Sequence, residues 1–225
     1  MSHQTTESKR KITDGMVRNK ERTKKKMLEA VGDVLKEKGY AGLTINNIVK
    51  KAGVDRKLIA LYFGSLNNMI EEYLIQRDYW MTKVAPKLNA IVDSTGVFGE
   101  HEIVSILHTL YDEIDSSPDF QKILSWEVCE YQDKLRALAD KREELGTALY
   151  KLTDKDFEGT NLNLRAIIAL QVAGIYYMIL HAKSTGSNFC EIDINTKEGQ
   201  QLIKEALTKI VALVYNEAGI QNTFK

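Results

Sequence analysis

Only two prolines occur in 225 residues, too few for a fold of many tightly turned strands, where breakers punctuate every connection. Helix is therefore the default expectation. Cysteine is equally scarce. Cys129 and Cys190 stand far apart in sequence, each without a second thiol nearby, which excludes a disulfide-stapled scaffold. No apolar segment near the N-terminus resembles a secretion signal, so a reduced, cytoplasmic protein is expected. The one long apolar run, Ala166 to Ala182, is interrupted by Gln171, holds two tyrosines and is short for a bilayer. It reads as a helix buried in protein, with no membrane partner. Catalytic signatures are missing as well: no nucleophile elbow, P-loop, dinucleotide fingerprint or Ser/His/Asp order is present. Neither an enzyme nor a cofactor is expected.

Net charge is absent too, with 31 basic and 31 acidic side chains, but the balance hides a division. Up to Leu66 the chain carries 15 basic and 7 acidic residues, net +8. The remainder carries 16 and 24, net −8. A cationic lobe attracts a polyanion through counterion release, and an acidic lobe keeps the rest of the molecule away from it. Double-stranded DNA is the first partner to consider. With 44% hydrophobic residues, the chain can bury a substantial core, and the charge break divides it into a small and a larger domain.

Residues 1–19 are polar, basic and aperiodic, and read as a flexible arm. From Thr23, Met27, Ala30, Val31, Val34 and Leu35 recur at helical intervals until Gly39. Thr44 then caps a short helix with Ile45, Ile48, Val49 and Ala52 on one face. Gly53 permits a tight turn, and Asp55 opens a third helix carrying Leu58, Ile59 and Tyr62. Two short helices joined at a glycine turn form a helix-turn-helix, whose second helix enters the major groove with its N-terminal residues nearest the bases. Arg56 and Lys57 stand at that end, and Arg56 is the better base reader because guanidinium donates two hydrogen bonds to guanine. Tyr62 offers its hydroxyl to a phosphate. The candidate DNA-contacting set is completed by Lys24, Thr44, Asn46 and Asp55.

The stretch from Arg22 to Ile70 resembles the N-terminal domain of the TetR family of bacterial transcriptional regulators. The resemblance is carried by the helix ending at Gly39 and Tyr40, the Thr44-led helix with Ile48, and the Ala52-Gly53-Val54 turn. The Tyr62-Phe63 pair and Ser65 before the next helix complete it. It implies a DNA-binding head on residues 20–66 and an all-helical effector-binding and dimerisation domain on 67–225, with a fourth helix that transmits the signal. Three positions depart from the family pattern. Lys57 stands where glycine is usual, Ala60 replaces the first aromatic of the signature, and Leu66 replaces a lysine, which removes two habitual phosphate contacts.

The expected architecture is all-α. The fourth helix, with Met69, Ile70, Tyr73, Leu74 and Trp80, should end near Pro86. Further helices are expected around 100–115, 118–131, 133–152, 161–183 and 196–217. The last two carry more apolar surface than one neighbour can cover, so they are the expected homodimer interface. A small-molecule cavity is expected among the middle helices, where Trp80, His108, Tyr111 and Trp126 mingle with Glu127, Tyr131 and Tyr177. His101, His108 and Asp112 share a helix face at metal-ligand spacing, but a fourth ligand is not visible. Three functions compete at this stage. The first is a sequence-specific regulator, read as a repressor released by an effector. A DNA-binding architectural or protein-interaction factor with a filled second domain is the alternative, and a metal-dependent enzyme built on the three-residue cluster ranks last.

Overall fold

The computed structural model describes the backbone of residues 4–93 and 98–220, and the side chains of residues 19–90 and 98–220. Helices dominate, and among the described residues the sole extended pairing is an isolated bridge between Phe189 and Ile192. The all-α expectation holds. The chain divides into two compact units, the first ending at Gln76 and the second beginning at Arg77.

In the first unit, α1 (Gln4–Lys38) is followed by α2 (Ile45–Ala52), α3 (Lys57–Phe63) and α4 (Leu66–Arg77). Helix α1 begins well before Thr23, and the side chains of the expected arm lie outside the described residues up to position 18. Met27, Val31 and Val34 on α1 are buried, as are Ile48, Ile59, Phe63 and Met69, and α1 packs against α2. The division between the units falls in the last turn of α4, beyond Leu66, and Met69, Ile70, Tyr73 and Leu74 on that helix are all buried. Gly32 on α1 permits that packing: a Cβ there would meet the Tyr73 hydroxyl at 2.9 Å.

The fourth helix is shorter than its apolar pattern predicts. It stops at Arg77, and Trp80–Val84 form a wide π turn before α5 (Ala85–Asp93). Pro86 supplies a physical reason, since its ring cannot sit against the carbonyl four residues back and it has no N–H to donate. Asp78 braces the turn, accepting Met81 N on Oδ1 at 3.0 Å and Thr82 N on its own carbonyl at 3.0 Å. The second unit continues with α6 (Glu100–Ser116), α7 (Pro118–Cys129), α8 (Asp133–Thr153), α9 (Leu164–Thr185) and α10 (Lys197–Glu217).

Helix α6 is the central element, packing against α7, α9 and α10. Helix α9 is long and apolar enough by composition to cross a bilayer. Its Ile168, Gln171, Ile175, Ile179 and Ala182 nevertheless form one buried stripe, and Gln171 Nε2 donates to the Leu207 carbonyl of α10 at 3.1 Å. It is a core helix of the second unit on that side. Between α9 and α10 the chain reverses at Cys190 and Glu191, both at positive φ, as a two-residue hairpin turn demands.

Candidate functional site

Helix α2 starts where Thr44 Oγ1 accepts Asn47 N at 3.3 Å, and Asn47 in turn donates from Nδ2 to the Gly42 carbonyl at 2.8 Å. It ends at Gly53, whose φ of 61° turns the chain toward α3. Asp55 then acts as the local cap: Oδ1 accepts Lys57 N at 2.7 Å, and its carbonyl accepts Leu58 N at 3.1 Å. Asp55 is thereby spent on building the helix start. With Ile59 and Phe63 buried, the opposite face of α3 presents Lys57, Ala60 and Leu61, with Arg56 just before it. This exposed, cationic-to-apolar strip suits a groove edge, where guanidinium and ammonium reach bases or phosphates and an apolar side chain meets a thymine methyl.

The other candidate DNA contacts differ in their freedom. Thr44 and Asn46 are exposed at the start of α2. Lys24 is drawn inward, pairing with Glu72 at 3.1 Å and lying 5.0 Å from the Phe63 ring centroid. Tyr62 is half-buried beneath Lys20, whose Nζ is 5.7 Å from the ring centroid. Lys51 is engaged by Glu37 and Asp33, and its ammonium holds the Glu37 carboxyl below the usual carboxylate range. Leu61, 69% exposed, was not singled out from the sequence. Its signal was a leucine four residues from Lys57, off the Ile59/Phe63 stripe.

In the second unit a cleft of about 650 Å³ opens between α7, α8 and α9 and the π turn, lined by Trp80, Glu127, Arg142, Tyr150 and Tyr176 among others. Trp80 Nε1 donates to the Tyr176 hydroxyl at 2.8 Å. Beneath the cleft Arg142 bridges two carboxylates, Nε to Asp78 Oδ2 at 2.8 Å and Nη1 to Glu127 Oε2 at 2.7 Å. A narrower apolar chamber adjoins the cleft and shares Trp80, Gly146, Tyr150 and Ile168 with it.

Of the seven expected cavity residues, the cleft gathers Trp80 and Glu127. Tyr111 is fully buried, and Trp126 is buried with it in the interior. His108 turns to α10, where Nε2 lies 3.0 Å from the Lys204 carbonyl and 2.9 Å from Thr208 Oγ1. Tyr131 is 76% exposed just after α7. Tyr177 stacks on His181 and meets Phe189 edge-on in an exposed aromatic group, while its neighbour Tyr176 supplies the cleft. Period alone does not say which of two adjacent tyrosines faces inward. Nor do His101, His108 and Asp112 converge: His101 pairs with Glu102 and Asp112 with Lys204 at 2.5 Å. Among the described residues no group of three or more such side chains is arranged to hold a metal ion.

Residues 24–73 match the sequence model for bacterial regulatory proteins of the tetR family. No curated protein matches the chain. Among solved structures, the fatty acid degradation regulator FadR from Bacillus halodurans superposes with a TM-score of 0.59 at 15% identity, over 84% of this chain and 94% of that one. At that identity the likeness is one of fold. A candidate TetR-family transcriptional regulator from Mesorhizobium loti gives a TM-score of 0.41 at 16% identity, over 88% of this chain and 96% of that one.

Proposed function

Given a tetR-family DNA-binding domain over residues 24–73, we propose that this chain is a cytoplasmic, homodimeric, sequence-specific transcriptional repressor released from its operator by a small molecule. The observation that carries the reading is the exposed face of α3, where Arg56, Lys57, Ala60 and Leu61 face solvent while Ile59 and Phe63 anchor the helix. Arg56 is the base reader, Lys57 and the exposed start of α2 hold phosphates, and Asp55 sets the angle of entry.

Two heads are required because one α3 covers a single half-site. Successive major grooves lie roughly 34 to 36 Å apart, so a two-fold dimer matches a palindrome. The dimer forms through α9 and α10. Their outward faces carry Leu170 and Tyr177 on one helix and Leu202, Ile210 and Leu213 on the other, all exposed within one chain. Such paired apolar stripes are the raw material of a four-helix contact.

The effector occupies the cleft at Trp80 and Glu127. From there Glu127, Arg142 and Asp78 form a continuous hydrogen-bonded line to the π turn that directly follows α4. An occupant that changes the hold on Glu127 shifts the balance between two settings of that turn, and with it the separation of the heads. Release then requires unequal affinity for the two settings, not merely tight binding. The open cleft favours this reading over an architectural factor with a filled interior. Selection of bound sites from random duplexes tests it: a palindrome is the expected result, and indifference to sequence refutes it.

A further inference from the structure

The wall of the cleft has an uneven charge account. Asp78 has no exposed surface, Arg142 keeps 9% of its side-chain exposure and Glu127 keeps 25%. Both Asp78 oxygens accept hydrogen bonds, from Met81 N and Arg142 Nε. Two carboxylates therefore share one guanidinium, and one negative charge is left over beside the cavity. The second cation on the wall adds nothing to offset it, because Arg165 is paired with Asp154 at 2.5 Å. Glu143, also on the wall, extends the negative excess.

The remaining lining is aromatic and apolar. Trp80 and Tyr176 supply two rings, a third, Tyr150, already faces the Arg165 guanidinium at 5.1 Å, and the Trp80 N–H is committed to Tyr176. The adjoining chamber is bounded by Phe98, Ile103, Ile106, Leu107 and Leu149. Rings with a carboxylate and no spare cation attract a positively charged, weakly hydrated group through the ring quadrupole and the local field. An apolar anion would meet the uncompensated carboxylate after losing its own hydration, which is costly.

We propose that the cleft binds a lipophilic organic cation, with its charge near Glu127 and Trp80 and an apolar substituent entering the chamber past Gly146. This deepens the effector reading and rests on it only for the consequence at DNA. Binding itself is independent of that reading.

The test uses the full-length protein and two probes of like shape and opposite charge, tetraphenylphosphonium and tetraphenylborate, titrated calorimetrically in sodium buffer without DNA. The cation should bind one per chain and at least about tenfold more tightly than the anion, the scale of one added charge contact in a partly screened site. Glu127→Gln should erase most of that preference. Thr147→Trp, a substitution at an exposed position on the cleft wall that leaves Glu127 in place, should block the cation if Glu127→Gln disturbs folding. Equal or tighter binding of the borate, or failure of both probes to bind, overturns the proposal. A protein that binds the phosphonium yet keeps its operator retains this inference and loses the release mechanism instead.

Discussion

Arg142 Nη2 lies 2.6 Å from Asp78 Oδ2, and the carboxylate has no contact with solvent. Removing the guanidinium strands Asp78 in the interior of the second unit and leaves Glu127 unpaired on the cleft wall. Arg142→Ala should cost about 3–5 kcal/mol in urea unfolding, the usual penalty for breaking a buried pair. Arg142→Met combined with Asp78→Asn should recover a large part of that loss, since the charge needing compensation is then gone. An Arg142→Ala protein as stable as the parent would show that water reaches Asp78.

Gly32 and Tyr73 set the packing limit of the head. A methyl group on Gly32 would press on the Tyr73 hydroxyl at 2.9 Å and on ring carbon Cε2 at 3.1 Å. Gly32→Ala should therefore destabilise by about 1–3 kcal/mol despite the better helix propensity of alanine. Thermal unfolding reads the effect, and a rise in Tm would contradict the packing described.

The basic residues of the head divide into readers and struts. Arg56→Ala should weaken binding to the selected site by about 1–3 kcal/mol and relax preference at one base pair. Lys51→Ala, which removes a lysine bound to Glu37 and Asp33, should leave DNA affinity nearly unchanged. Fluorescence anisotropy on cognate and scrambled duplexes separates the two. Equal loss on both duplexes for Arg56→Ala would assign it to phosphate.

Charge placed on the outward stripes of α9 and α10 should abolish pairing of subunits. The double variant Leu170→Glu with Leu213→Glu alters two exposed side chains, so the fold should persist while sedimentation gives a monomer. Loss of palindrome binding should accompany it. A variant that remains dimeric would place the interface elsewhere.

Alkaline stability should reflect the Tyr176 phenol. Burial pushes it up to about 12, with Arg142 and the Trp80 hydrogen bond pulling the other way. The unfolded chain releases this proton near pH 10, whereas the folded chain keeps it, so the native state binds more protons in that window. Stability is therefore full below about pH 10 and falls as pH rises toward 12. Tyr176→Phe should make that part of the profile less steep, with buried Tyr79, Tyr111 and Tyr215 supplying the slope that remains, measured as urea midpoints across the range. An unchanged slope would mean that the phenol is solvated.

The head was legible because its turn chemistry is local. Thr44, Gly53 and Ser65 each act on residues within a few positions, and the structure shows the Oγ of Ser65 accepting Asn68 N at 3.1 Å. The later helices were legible for similar reasons, as Pro118 starts α7 and Gly186 closes α9 in the left-handed region. Local signals did not reveal the break after Arg77, where a proline nine residues downstream and a buried carboxylate combine to widen the helix. The cleft was harder still. Glu127 and Trp80 meet there through Arg142 and Tyr176, partners 15 and 96 positions away, and no single-helix periodicity encodes such encounters. Lys24 illustrates the converse: a run of lysines looks uniformly solvated, yet one of them reaches Glu72 on α4.

The wide turn at Trp80–Val84 also bears on how the chain tolerates changes in length. Tyr79 and Val84 are both buried although five positions separate them, one more than an ordinary helical repeat allows. A chain shortened by a single residue there would regain four-residue spacing and keep both side chains in the interior, with Pro86 still bending the helix at that point. Elsewhere in a packed helix the same deletion would rotate every following side chain by about 100°, so this segment is where the second unit can absorb an indel.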